Sequence, residues 1–333
     1  MRSAALVEVS PVGADALRLD ERAEADRISA WLREALSRRL HRRGLVVALS
    51  GGIDSSVCAA LAVQALGPSR VYGLLMPERD SSGFSAERGA LLARHLGIAH
   101  EVIDIAPALE ALGCYRQRDE AIRRIFPAYG EGWRNKIVIA GGLAGGINHF
   151  RLVVSEPAGA LHEQRLPLRE YLQIVAATNF KQRVRKTMDY FHADRLNYAV
   201  VGTPNRLEYD QGFFVKVGDG AADIKPIAHL YKTQVYAMAR ALGLPGPICD
   251  AVPTTDTYTL PQGQDEFYFA LPYAQMDLAL WSLNRGVPAA DLGAALGIDE
   301  VRAARVYADI EAKRRAAAYL HAPAETLLAP SAR

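Results

Sequence analysis

The sequence has few cysteines, no long hydrophobic run and no excess of charge of one sign. Its three cysteines, Cys58, Cys114 and Cys249, cannot all pair and lack the C-x-x-C spacing of zinc and redox sites. The pattern predicts neither a disulfide framework nor a zinc site, and it is typical of the reducing cytosol. The most apolar stretch, 137–147, is about half of the roughly 20 residues that cross a bilayer. The formal net charge of +2 gives no electrostatic basis for nucleic acid or a membrane as the main partner.

What the sequence does contain is typical of a globular protein. Hydrophobic residues make up 50% of its 333 residues and charged residues 23%, a composition that argues against disorder. This length is enough for one large α/β domain or two smaller ones. Charged residues occur too early at the N-terminus for the apolar region of a signal peptide. We therefore expect a cytoplasmic protein.

Short apolar runs alternate with segments of helical periodicity along much of the chain. Runs at 45–49, 71–76 and 102–105 have the composition of buried parallel strands, and a helix is predicted over 20–43. The alternation predicts an α/β fold with a doubly wound parallel sheet flanked by helices. It is lost over 112–172, which we interpret as an insertion. The pattern then returns with a helix at 179–195, a strand at 198–202 and a helix at 232–242.

The segment after Pro272 is predicted to be helical throughout. We therefore expect a domain over 1–272, with 112–172 inserted in it, and a helical C-terminal extension over 273–333 packed on that domain.

The strongest local signal is the sequence SGGIDSS between the first strand and the next helix. Its two glycines allow a sharp turn and close approach to a ligand. Its two last serines add hydroxyl donors to the free N–H groups of a helix N-terminus, which together suit a pyrophosphate. Asp54 would repel phosphate unless a cation lay between them, so it implies Mg²⁺. The candidate phosphate-binding residues are Ser50, Gly51, Gly52, Asp54, Ser55 and Ser56.

Other motifs with glycine and serine after a strand are alternatives to a pyrophosphate loop only where the residues match them. The sequence has neither a Walker G-x-x-x-x-G-K-[ST] motif nor G-x-G-x-x-G after a strand. The run ALSGG is one residue short of the hydrolase motif G-x-S-x-G, which would make Ser50 a nucleophile with His229 or His321 as its base. That interpretation leaves Asp54 and the serines after it unexplained. A purely structural turn is the remaining alternative.

Two further residues have chemical meaning at their positions. Glu208 follows a predicted strand at the sheet edge where ligands bind, and with Asp54 it could form a carboxylate pair around Mg²⁺. A solvated loop glutamate is the alternative. Lys232 begins a predicted helix, where the helix dipole disfavours positive charge unless a polyphosphate is bound. Lys216 is a weaker candidate for a ligand-binding residue, because an ordinary surface lysine explains its position nearly as well.

Taken with its position after an apolar strand, SGGIDSS resembles the pyrophosphate loop of the N-type ATP pyrophosphatases, which split ATP into AMP and pyrophosphate. Four later blocks resemble the NAD synthetase members of that family in order and spacing. Together the similar segments cover about 45–105 and 175–270. The four blocks are NFKQRVR at 179–185, GTPNRLE at 202–208, GFFVKVGDG at 212–220 and LYKTQ at 230–234.

The resemblance implies an adenine nucleotide alpha hydrolase-like fold and a specific reaction. ATP, with Mg²⁺, would adenylate the carboxylate of deamido-NAD⁺, and ammonia would displace AMP to give NAD⁺. About 44 residues precede the first strand, too few for a glutaminase domain, so the prediction is free ammonia or a separate glutaminase partner. A homodimer is implied, with the acceptor held partly by the other subunit. A related ligase acting on another carboxylate is the alternative function.

The resemblance also assigns roles to individual residues. For ATP binding it adds Met76, Arg79, Thr203, Thr254 and Lys232 to the loop residues. For the acceptor it implies Asn179, Arg183, Arg185, Lys216, Asp219 and Asp223. The predicted catalytic residues are Asp54, Lys216 and Lys232, and the predicted metal ligands are Asp54 and Glu208.

The resemblance weakens in three places. The segment 112–172 is additional, the loop 253–266 is changed in its middle, and the basic run 313–315 is equally typical of a solvated helix face.

The segment 292–315 also has the helix–turn–helix spacing of a DNA-reading module. Its acidic residues dilute the positive charge that such a module needs for phosphates, so we do not expect nucleic acid as a partner.

Overall fold

Four short parallel strands form the central sheet in a computed structural model, which describes residues 12–81, 83–140, 149–251, 258–260, 268–269 and 271–327. The strands of this sheet are β1 (Leu45–Ala48), β2 (Val71–Leu75), β3 (Ala99–Val102) and β7 (Ala199–Val200). They lie side by side in the order β3-β2-β1-β7.

Helices cover both faces of this sheet. Because side chains alternate along a strand, Leu45 and Val47 of β1 pack in one buried cluster while Val46 packs in another. Burial on both faces explains why β1 is a continuous apolar run. The predicted α/β fold with a helix-flanked parallel sheet is confirmed. The helices of this part are α1 (Glu21–Glu34, continued by a π-helix over Ala35–Leu40), α2 (Ile53–Leu66), α3 (Gly83–Leu96), α4 (Ala106–Ala111), α5 (Cys114–Arg123), α6 (Leu168–Leu196), α7 (Arg206–Gln211), α8 (Lys232–Ala241) and α9 (Gly246–Cys249).

Several predicted boundaries were wrong, among them those of the third strand and the first helix. The third strand occupies Ala99–Val102 rather than 102–105, because β3 is an edge strand whose residues are exposed and which pairs through its backbone with β2. The apolar signal came from residues after the strand, including Ile105, which is buried under the sheet. The first helix ends at Leu40 rather than at residue 43. It ends there because the next residue, His41, adopts the left-handed conformation with φ 50°.

The segment 112–172 contains α5, the first residues of α6 and a second sheet. Three antiparallel strands follow the order β4-β5-β6, with β4 at Arg134–Ala140, β5 at His149–Ser155 and β6 at Leu161–Arg165. They share a small core with α5 and α6 that includes Ile137, Leu152 and Ile174. Helix α6 begins at Leu168, eleven residues before the predicted start at 179.

After Pro272 three helices make up most of the described chain, as predicted, although residues 322–327 are not helical. Helices α10 (Tyr273–Asn284), α11 (Ala289–Leu296) and α12 (Glu300–His321) enclose a third core that contains Leu280, Leu292 and Val306. Leu207 of α7 is buried in the same core, so these helices help to fix α7, which also carries Glu208. Within the described ranges, no helix has both the length and the apolar composition that a bilayer-spanning helix needs.

Candidate active site

A cavity of about 860 Å³ opens over the carboxyl ends of β1, β2 and β7. Ligands of open parallel sheets bind at this edge because loops and helix N-termini converge there. The cavity therefore gathers residues from segments far apart in sequence. Of the predicted nucleotide and metal residues, those that line it are Ser50, Gly52, Asp54, Ser55, Met76, Thr203, Glu208 and Lys232.

The glycine loop has the geometry that the sequence predicts. Gly51 has φ +75°, and a Cβ at this position would lie 2.3 Å from the backbone oxygen of Ser85. The Oγ atoms of Ser55 and Ser56 donate to the carbonyl oxygen of Gly52 at 3.0 and 2.8 Å, and Ser50 Oγ lies 3.1 Å from Ser55 Oγ. Ser56 is fully buried and stabilises the turn from below, while Ser50 and Ser55 border the cavity.

Asp54 stands between two partners at the centre of the site. Lys232 Nζ forms an ion pair with one carboxylate oxygen of Asp54, and Asn205 Nδ2 donates to the other at 3.0 Å. Asn205 also caps α7 reciprocally with Glu208: its Oδ1 accepts from the Glu208 N–H at 3.2 Å, and Glu208 Oε2 accepts from the Asn205 N–H at 3.1 Å. Asn205 thus couples the two predicted metal ligands, although it was not predicted as a site residue. Its sequence signal is the N-x-x-E capping box.

The charges of this cluster act strongly on one another because Lys232 and Glu208 are buried and Asp54 is half-buried. Lys232 is 1% exposed; burial lowers its pKa, but the carboxylates of Asp54 and Glu208 outweigh that effect and raise it above the ordinary value. Burial, together with the charge of Asp54, raises the pKa of Glu208 to about 8. Two acids therefore share one ammonium group, and the surplus acid favours an additional cation in the cavity.

The donor set is compatible with Mg²⁺. Mg²⁺ prefers oxygen ligands and commonly uses one or two carboxylates, completed by water and substrate phosphates. Asp54 and Glu208 would supply the protein oxygens. Among the described residues no group of three or more potential ligands occurs, so most of the coordination would have to come from phosphate and water.

Comparison with known proteins identifies the family. A sequence model of the family described as NAD synthase matches residues 24–125 and 146–317. The chain belongs to the NAD synthase family. It is 58% identical over 309 residues to an NH(3)-dependent NAD(+) synthetase of Rhizobium meliloti (strain 1021), which covers 92% of each chain. The family prediction made from SGGIDSS and the four later blocks is thereby confirmed.

Solved structures support the fold. An NMN synthetase from Francisella tularensis matches with a TM-score of 0.63 at 23% identity, covering 93% of this chain and 99% of that one. An NH3-dependent NAD synthetase from Campylobacter jejuni matches with a TM-score of 0.61 at 21% identity, covering 93% and 100%. At such identities these likenesses concern the fold alone.

In this NAD synthase family member, three of the predicted acceptor-binding residues line the cavity: Asn179, Arg185 and Asp219. Arg185 Nε also donates to the carbonyl oxygen of Met76 at 3.1 Å, which ties α6 to the end of β2. These residues therefore lie in the same cavity as the glycine loop.

Other predicted residues lie outside the cavity lining as far as the chain is described. Lys216 Nζ donates to the Tyr319 carbonyl oxygen at 2.9 Å, and Arg183 Nε donates to the Lys216 carbonyl oxygen at 3.3 Å. Asp223 accepts from the Val200 N–H at 2.7 Å. Arg79 lies over the ring of Tyr115, with its guanidinium carbon 3.8 Å from the centroid. Thr254 and most of the 253–266 loop fall outside the described residues.

The alternative role of Ser50 as a hydrolase nucleophile gains no support from the two candidate bases. His229 Nε2 lies 2.6 Å from Glu24 Oε1, and His321 Nε2 lies 2.9 Å from the Tyr209 carbonyl oxygen. Ser50 Oγ instead contacts Ser55 and the Gly52 N–H. These contacts fit a loop that binds phosphate.

We expect Gly51→Ala to destabilise the protein by about 2–4 kcal/mol, because the new Cβ adds both left-handed backbone strain and a clash. Gly97→Ala is the matched control: Gly97 has φ +65°, but its Cβ would meet nothing within 4 Å. That control should lose only about 1–2 kcal/mol from the backbone conformation alone. The measurement is urea unfolding of both variants, and equal losses would contradict the role of the Ser85 contact.

Proposed function

We propose that the protein is an ATP-dependent amide-forming ligase that converts deamido-NAD⁺ and ammonia to NAD⁺, AMP and pyrophosphate. The proposal rests on the cluster that half-buried Asp54 forms with buried Glu208 and Lys232 beside the glycine loop, in a chain of the NAD synthase family. The 58% identical relative named an NH(3)-dependent NAD(+) synthetase supports ammonia as the nitrogen source.

The chemistry accounts for the kind of site. A carboxylate is a poor electrophile, so ATP must first convert it to an acyl-adenylate whose leaving group is AMP. Bound Mg²⁺, held by Asp54 and Glu208, would neutralise charge on the nucleotide phosphates. The free N–H groups of the loop and the hydroxyls of Ser50 and Ser55 would hold the departing pyrophosphate. The remaining task of the protein is to align the two reactants.

Lys232 would exchange partners when the nucleotide binds. Its ammonium group forms an ion pair with Asp54. The backbone at this start of α8 is held by Asp277, which accepts from the N–H groups of Lys232 and Thr233 at 3.2 and 2.7 Å. A cation on the Asp54 side would free Lys232 to donate to a phosphate oxygen. Its charge would then be available where negative charge develops in the transition state.

For the acceptor we propose Asn179, Arg185 and Asp219 as the residues that contact it inside the cavity. Arg183, Lys216 and Asp223 would join them only after a rearrangement, since Lys216 would have to leave Tyr319. We further infer a homodimer and a catalytic domain over 1–272 that carries 112–172 as an insertion and has 273–333 packed on it.

The experiment is an incubation of the purified protein with ATP, Mg²⁺, ammonium and deamido-NAD⁺, with NAD⁺ and AMP measured together. Stoichiometric formation of both products is expected. AMP release with a different carboxylic acid, and none with deamido-NAD⁺, would instead support the related ligase.

Binding of the magnesium–ATP complex should depend on pH through Glu208, whose pKa is raised to about 8 by burial and by Asp54. Below that pH the carboxyl group holds a proton that the metal must displace, so affinity should fall by about tenfold from pH 9 to pH 7, about fivefold of it between pH 8 and pH 7, and level off above pH 9. Calorimetric titration without ammonia measures this directly. Glu208→Gln should bind weakly and show a flat profile over this range; a flat wild-type profile would contradict the assignment.

A further inference from the structure

Two aromatic rings form part of the cavity wall outside the charged cluster. Phe150 of β5 and Tyr171 of α6 stack with their centroids 4.0 Å apart and an interplanar angle of 16°. Both line the main cavity and are half-buried, so part of each ring remains accessible. Both also border a second cavity of about 550 Å³. We call this pair the aromatic wall.

Helix α6 connects the aromatic wall to the predicted nucleotide site. Its cavity-lining residues include Tyr171, Val175, Thr178, Gln182 and Arg185, which are spaced by three or four and therefore share one face of the helix. With a rise of 1.5 Å per residue, the fourteen steps along the helix from Tyr171 to Arg185 span about 21 Å. This row of cavity-lining side chains, which we call the α6 stripe, is long enough to follow an extended molecule rather than one compact group.

The two ends of this stripe differ in chemistry. At one end Arg185 contacts the carbonyl oxygen of Met76, at the carboxyl end of β2 and near the glycine loop. At the other end is the aromatic wall, which has the apolar, flat surface that stacks on a planar heterocycle. The reacting carboxylate must lie near the loop, where ATP is cleaved. A ring of the acceptor that stacks on the aromatic wall, at the opposite end of the α6 stripe, must then belong to the part of the acceptor that does not react.

We infer that the aromatic wall binds the adenine ring of the acceptor dinucleotide by stacking, while the nicotinate half lies at the catalytic end. This inference rests on the proposed function. The wall then acts on specificity, since binding energy from the remote half of a substrate can position the reacting half. It would favour a dinucleotide over a mononucleotide acceptor.

The test replaces each ring by leucine, which fills apolar volume but cannot stack. For Phe150→Leu and Tyr171→Leu we expect KM for deamido-NAD⁺ to rise by about 5- to 100-fold, the range typical of a lost stacking contact. KM for ATP should stay within about twofold, and Tyr171→Phe, which keeps the ring, should resemble wild type. Phe191→Leu is the control, because Phe191 lies on α6 with 57% exposure and is not among the described lining residues.

A second arm uses nicotinic acid mononucleotide, which carries the reacting half without the adenosine half. Wild type should prefer the dinucleotide, and the leucine variants should lose that preference because their KM for the mononucleotide is unchanged. Methionine replacements and unfolding curves accompany the leucine variants, so that a variant that fails to fold is replaced by one that fills the same space.

Three outcomes would overturn the inference. An increase in KM for ATP alone would place the adenine of ATP at the wall. An equal increase in KM for both acceptors would place the nicotinate half at the wall. Unchanged KM values in folded variants would leave the wall a structural role only. Failure of the wild type to form NAD⁺ would instead refute the proposed function, so the two failures are distinguishable.

Discussion

Asp54→Asn is expected to lower the rate of AMP formation on the order of a thousandfold, because metal-assisted charge stabilisation contributes several kcal/mol to such a step. Asp54 lines the cavity next to the glycine loop and contacts both Lys232 and Asn205. The amide keeps the shape of the side chain but removes its negative charge. Mg²⁺ would then lose one of its two proposed protein ligands.

The fold should survive this substitution. Lys232 keeps Glu208 as a nearby counter-charge in the variant, so no buried cation is left alone. The measurement is AMP formation at saturating ATP and Mg²⁺, with urea unfolding in parallel. Asp194→Asn is the control, since Asp194 lies exposed on α6. A loss of less than tenfold in a folded Asp54→Asn protein would contradict the metal assignment.

The parts of the site that the sequence predicted are those governed by local or topological rules. Two glycines between an apolar run and a helix predict a phosphate loop, and Gly51 has the positive φ that such a turn requires. Asp54 and Glu208 could be paired in advance because the carboxyl ends of β1 and β7 lie at one edge of the sheet. Neither inference needs knowledge of side-chain packing.

The missed parts depend on contacts between distant segments. Asp277 of α10 accepts hydrogen bonds from the start of α8, 44 and 45 residues earlier, and no local pattern reveals such a pairing. The sheet β4-β5-β6 was missed because its third strand is exposed along its whole length, so the alternation that marks a half-buried strand is absent. The displacement of β3 has the same origin, since its pairing is backbone pairing at an exposed edge.

Lys232→Met is expected to lower the free energy of unfolding by about 3–5 kcal/mol, the usual cost of leaving a buried charge without its partner. Lys232 is 1% exposed, and its removal leaves Asp54 and Glu208 to repel each other in a buried site. AMP formation should be lost as well, since no ammonium group would face the departing pyrophosphate. Lys216→Met is the stability control, because its ammonium group lies at the Tyr319 carbonyl oxygen in a more exposed position.

The double variant Asp54→Asn/Lys232→Met separates the structural part of this effect from the chemical part. Removing both charges of the pair takes away the unpaired carboxylate, so the double variant should be more stable than Lys232→Met alone. Its AMP formation should remain at background, because neither the metal ligand nor the ammonium group is restored. Urea unfolding of the four proteins of this cycle gives the coupling energy. Additive stability losses would show that Asp54 and Lys232 are not energetically paired, and recovered activity would contradict their roles in ATP cleavage.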